Sequence, residues 1–84
     1  MENDDYYQSV IGILASFMGQ HLANGVKDMY IKENTILCAF QIIKNVLIFD
    51  NAYKVVHSSL QKGYRNGIVL FEKRGNDNYF SLKF

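Results

Sequence analysis

Apolar residues recur every three to four positions near the start of the chain. One stripe holds Tyr7, Ile11, Leu14, Met18 and Leu22, and a second beside it holds Tyr6, Val10, Ile13 and Phe17. This predicts a helix over residues 4–24, with Asn3 or Asp4 as cap, early carboxylates at the positive end of its dipole and Asn24-Gly25 as a left-handed stop. Gly12, Ser16, Gly19 and Ala23 add a line of small residues where a second helix could approach closely. Two apolar stripes exceed what one small core needs. The expectation is therefore a homodimer seam on this helix, formed by Tyr7, Val10, Ile11, Leu14, Phe17, Met18 and Leu22. The alternative is a helix buried on most sides within one chain.

The pattern then shortens. Met29-Tyr30-Ile31 predicts a brief strand able to pair with a later hairpin. Glu33, Asn34 and Thr35 offer caps for a second helix with Ile36, Phe40, Ile43 and Leu47 on one face. Residues 35–49 are so rich in β-branched and aromatic side chains that a buried strand fits them as well. Asp50-Asn51 opens a third helix, whose apolar face is Tyr53, Val56, Leu60 and either Gly63 or Tyr64. Its other side carries Lys54, His57, Ser58, Gln61, Lys62 and Arg65, and Asn66-Gly67 ends it or turns the chain into the next strand. Ile68–Phe71 and Tyr79–Phe84 read as two strands, the latter with Phe80, Leu82 and Phe84 on one face. They are joined by a loop, Lys73-Arg74-Gly75-Asn76-Asp77-Asn78, that tolerates positive φ.

Eighty-four residues make one domain with a small core, and an apolar share of 49% with twelve Phe and Tyr rings is enough to fold it. Cys38, the single cysteine, has no internal disulfide partner and reads as a small core side chain. No His/Cys cluster has zinc-site spacing, so no metal or other cofactor is expected. The start of the chain is acidic where a secretory signal would be basic. The apolar run Val10–Ala23 is short for a bilayer span and contains Gln20 and His21. The chain is read as cytoplasmic, with no membrane partner.

Net charge is +1, too little by itself for strong nucleic-acid affinity. Its distribution matters more. Residues 1–53 set three lysines against six carboxylates, for −3, whereas residues 54–84 set six cations against two carboxylates, for +4. No acidic residue occurs between Asn51 and Phe71. The carboxyl-terminal third is thus a footprint for an anionic partner, the bland alternative being an ordinary solvated surface.

Residues 29–84 follow the order short strand, helix, turn, helix, hairpin. The polar-faced helix Asn51–Arg65, its closing run Leu60–Val69 and the final Tyr79-Phe80-Ser81-Leu82 resemble the winged helix-turn-helix family. The fold class expected is α+β, three helices and a carboxyl-terminal hairpin wing. The division is 4–24 for the first helix, 33–65 for the helix-turn-helix and 67–84 for the wing. The resemblance implies duplex DNA as partner, with Lys54, His57, Ser58, Gln61, Lys62 and Arg65 at the major groove and Lys73 and Arg74 on the wing tip. Val46–Phe49 is more apolar than the family's usual turn.

Two functional classes follow. One is a DNA-binding transcriptional regulator acting as a homodimer. The other is a phage or mobile-element protein that binds and inhibits a host protein, or docks in an assembly, through its apolar first helix. An enzyme is not expected. His21 and His57 lack an acidic neighbour in sequence, and Ser58-Ser59 beside His57 point in different directions on a helix.

Overall fold

The computed structural model describes the backbone of residues 2–83 and the side chains of residues 6–83. Three helices, α1 (Glu2–Ala23), α2 (Glu33–Lys44) and α3 (Phe49–Arg65), pack against an antiparallel sheet of β1 (Ile31–Lys32), β2 (Val69–Arg74) and β3 (Asp77–Leu82). The sheet order is β1-β3-β2, so the two-residue β1 pairs with β3 through Ile31↔Phe80 and Lys32↔Tyr79. The class is α+β. Among the described residues, no single helix is long and apolar enough to cross a membrane.

Each helix ends on a left-handed residue. Gly25 (φ 74°), Asn45 (φ 55°) and Gly67 (φ 77°) turn the chain so that the amide after each reaches back five residues: Val26 to His21, Val46 to Gln41 and Ile68 to Gly63. Asn24-Gly25 and Asn66-Gly67 therefore stop their helices as the sequence predicts. Asn45 does the same with an Asn alone, and that ends α2 a turn before its apolar run is over. The starts differ from expectation. The caps are Lys32 and Ile48, neither of which makes a side-chain cap bond, and α3 begins at Phe49 with Asp50 in its first turn.

The core draws on every element: Val10, Leu14 and Met18 from α1, Ile36, Leu37 and Phe40 from α2, Ala52, Val56 and Leu60 from α3, and Ile31, Val69 and Phe80 from the sheet. This corrects the proposed seam on α1. Val10, Leu14 and Met18 are enclosed by the chain's own core, with Ile13 beside them. Met18 Sδ also accepts the Leu82 amide at 3.2 Å. Tyr7, Ile11 and Phe17 are half-buried, and of the seven proposed residues only Leu22 lies mostly exposed. The outer side of α1 is instead Gly12, Ala15, Ser16, Gly19 and Gln20, all exposed, with no atom within 4 Å of a Cβ built on either glycine.

Two further expectations change. Residues 35–49 resolve as helix α2 followed by a four-residue link, Asn45–Ile48, so only Ile36 and Phe40 of the predicted face are buried while Ile43 and Leu47 stand in solvent. Cys38 lies one helical step from Leu37 and is exposed, in a shallow groove with Phe17, Thr35 and Ile42. On α3 the buried side is Ala52, Val56, Ser59, Leu60 and Gly63, whereas Tyr53 and Tyr64 turn outward.

The hairpin is tighter than its six-residue polar stretch suggests. Strands run to Arg74↔Asp77, leaving Gly75-Asn76 as a two-residue turn with positive φ at Gly75 alone (63°), the requirement of a type II′ turn. Phe71 and Phe80 face each other across the ladder at 5.3 Å between ring centroids. Phe84, assigned to the same face, falls outside the described residues.

Candidate nucleic-acid interface

The chain turns through 115° between α2 and α3. With its buried side held by α1, α2 and β2, α3 must present the opposite side to solvent. Lys54, Ser58, Gln61 and Arg65 fall there at spacings of four, three and four residues, which places them in one stripe. Lys54, Ser58 and Arg65 are exposed, and Gln61 is half-buried. No carboxylate lies among them. Four of the eight predicted DNA-binding residues thus come together on one outward face.

The other four are placed differently. His57 flanks the stripe: its Nδ1 bonds the nine-tenths-buried Glu33 carboxylate at 3.0 Å, and its ring stacks on Tyr53 at 5.2 Å. Glu33 Oε1 also accepts Asn78 Nδ2 at 3.2 Å. One carboxylate at the start of α2 therefore ties the middle of α3 to the hairpin. Lys62 points towards α1, where its Nζ lies 4.7 Å from the centre of the Tyr7 ring. That corrects its assignment to the outward face; its position on the helix lies on the side nearer the core.

Strand alternation separates the two tip cations. Lys73 shares a sheet face with Val69 and Phe71, the face that meets α3 through Phe71 and Tyr64 at 6.3 Å. Arg74 is on the opposite face and folds back on the body. Its guanidinium donates to Asp28 at 2.6 and 3.0 Å and to Glu72 at 2.8 Å, and sits over the rings of Tyr79 (4.6 Å) and Tyr30 (5.3 Å). The Arg74 hydrogen bonds, followed by the Tyr30 amide, hold the Asp28 carboxyl down at about 2, and the same pair raises the Arg74 guanidinium above its ordinary value. With two carboxylates on one arginine, and Lys32 paired to Asp77 at 3.4 Å, the tip is not the free basic finger expected from sequence. Arg74 is a rivet.

Sequence reasoning missed Asp28, Glu33 and Asn78. Asp28 carried one readable signal: its side chain accepts the amide of Tyr30, two residues on, as an Asp in a turn does. Nothing local pointed to partners 46, 24 and 45 residues away. His21, similarly, donates from Nδ1 to the Asp28 carbonyl at 2.8 Å. Among the described residues, no group of three or more His, Cys, Asp or Glu side chains is arranged to hold a metal.

Comparison with protein-family models, with curated proteins and with solved structures finds no match to this chain.

Proposed function

We propose that the chain is a winged helix-turn-helix module that binds duplex DNA through the outward stripe of α3, in the service of transcription regulation. The observation that carries the reading is the alignment of Lys54, Ser58, Gln61 and Arg65 on a helix whose opposite side is fixed in the core. Two helices meeting at 115° across a four-residue link, followed by a hairpin, are in keeping with a helix-turn-helix. In that arrangement Gln61 reads base edges, and Lys54, Ser58 and Arg65 hold phosphate oxygens. Lys73 reaches the backbone beside the groove. His57, held by Glu33, braces the helix; Arg74 braces the hairpin. Lys62 is not part of the contact. The alternative, a phage or mobile-element protein that docks on a partner through α1, has less apolar surface to work with, since Val10, Leu14 and Met18 are buried and only Leu22 of the seven residues is mostly exposed.

A fluorescence-anisotropy titration of random duplex DNA over a range of salt tests this. Three phosphate-neutralising cations, Lys54, Arg65 and Lys73, give a slope of log K against log salt of about −3 per module. Arg65→Ala lowers its magnitude by about one, and Arg74→Ala leaves it unchanged. Absence of binding at low salt, or equal loss in both variants, refutes the reading.

A further inference from the structure

A row of rings runs along the flank of α3 beside the cationic stripe. Phe49, Tyr53 and His57 follow one another at four-residue intervals, with centroids 6.2 and 5.2 Å apart and planes within 9° and 16° of parallel. About two turns further on, Tyr64 meets Phe71 of the hairpin edge to face at 6.3 Å. By helical spacing Tyr53, His57 and Tyr64 fall on one line, about a quarter-turn around α3 from Lys54, Ser58 and Arg65. Gln61 lies between the two lines.

These rings are open to solvent. Phe49 is 54% exposed, Tyr64 52%, Phe71 41% and Tyr53 38%, whereas Phe40 and Phe80 are wholly enclosed. Centroid separations of 5.2 and 6.2 Å exceed the roughly 3.5–4.0 Å of atoms in contact, so the stacked neighbours are slipped and each leaves part of its face uncovered. The stack also sets the ring orientation before any ligand arrives. Asp50, the only carboxylate of α3, sits in its first turn, ahead of the Lys54 that opens the stripe. Glu33, the carboxylate against His57, is already engaged by His57 and Asn78.

We infer that this flank is a stacking platform for unpaired bases, on which a single strand of DNA lies lengthwise along α3. A duplex keeps its base faces against one another and shows only their edges in the grooves, so open ring faces contribute little to reading it. A single strand offers the faces themselves. Base-on-ring stacking beside a cationic track for the backbone is how such strands are held irrespective of sequence. The inference rests on the reading of Lys54, Ser58 and Arg65 as phosphate contacts and adds the bases, which lie a quarter-turn away on Tyr53 and Tyr64. It gives the surface proposed above a further ligand, DNA that is locally unpaired.

Fluorescence anisotropy of the full chain with a labelled oligothymidylate of about 12 nucleotides, which cannot pair with itself, is expected to show binding at low salt. Tyr53→Ala and Tyr64→Ala weaken that binding at least about fivefold, with duplex affinity within about twofold of wild type and the circular-dichroism spectrum unchanged. Tyr53→Phe keeps the ring and retains the affinity, and Arg65→Ala weakens both ligands. The chain has six tyrosines and no tryptophan, so its tyrosine emission reports stacking directly: the oligonucleotide quenches it, and quenches it less in Tyr53→Ala. An oligothymidylate left unbound, bound equally well by both alanine variants, or lost in step with the duplex overturns the inference. Duplex binding by the wild type is measured alongside, and its presence or absence decides the duplex reading alone.

Discussion

Gly63 lies where α3 crosses β2, and replacing it with alanine sets two effects of known sign against each other. A Cβ at this position would lie 2.5 Å from Val69 Cγ2, 3.2 Å from Val69 Cβ and 3.4 Å from Ile11 Cδ1. Val69 is itself enclosed and branched at Cβ, so it has little room to give. Forcing a methyl group into such a contact costs about 1–3 kcal/mol. Against that, alanine gains about 0.8–1.0 kcal/mol over glycine in a helix interior. Gly12 and Gly19 supply the internal control, because nothing lies within 4 Å of their added Cβ atoms and only the helical gain remains. We expect Gly12→Ala and Gly19→Ala to raise the melting temperature by a few degrees, at about 4–8 °C per kcal/mol for a domain of this size. For Gly63→Ala the two effects leave a net loss of up to about 2 kcal/mol, which puts its melting temperature below those of both controls. Thermal melts by circular dichroism, with urea denaturation to confirm two-state behaviour, read both. If Gly63→Ala is stabilised as much as Gly12→Ala and Gly19→Ala are, α3 does not sit this closely on the sheet. If Gly12→Ala or Gly19→Ala destabilises, the small-residue line on α1 is covered by something outside the monomer.

The remaining predictions concern single side chains. Because Arg74 holds the Asp28 carboxyl at about 2, the stability this pair contributes is present above the ordinary carboxylate pKa near 3.9 and lost as pH falls from there towards 2. Arg74→Ala returns the Asp28 carboxyl to its ordinary range in an NMR titration, and an unchanged midpoint refutes the pairing. Glu33→Ala leaves Asn78 and His57 without their shared acceptor and costs about 1–3 kcal/mol in urea denaturation, with faster amide exchange at the hairpin tip; a cost under about 0.5 kcal/mol is the contrary result. Cys38, being exposed, reacts with a thiol reagent in the native protein as fast as in the denatured one, and protection until unfolding contradicts its placement.

What the sequence made readable was local. Periodicity over residues 6–22 marks α1, Asn24-Gly25 and Asn66-Gly67 mark two helix ends, and strand alternation marks the hairpin. These features are decided by the backbone within a few residues. The end of α2 was hidden because Asn45 sits inside an apolar run, where continuing hydrophobicity outweighs one left-handed residue to the eye but not to the chain. The stripe Lys54, Ser58, Gln61 and Arg65 follows from helical spacing alone, and so was legible. The fates of Lys62, His57 and Arg74 were not: each depends on a partner brought near only by tertiary packing, Tyr7, Glu33 and Asp28 respectively. The seven-residue seam on α1 failed for a related reason, since an apolar stripe says that a face is covered but not by what.

Among the described residues, β2 pairs only with β3, which leaves one rim of this six-residue strand without a neighbour. Such a rim is a template for intermolecular strand addition unless something discourages a visitor. Glu72, Lys73 and Arg74 defend its distal half with charge, while the exposed side chains of the proximal half, Leu70 and Phe71, are hydrocarbon. Concentrated stocks that are warmed would therefore begin to clump from this proximal segment, and a lysine substituted for Leu70, whose side chain is already exposed, is the simplest gatekeeper for keeping the material in solution.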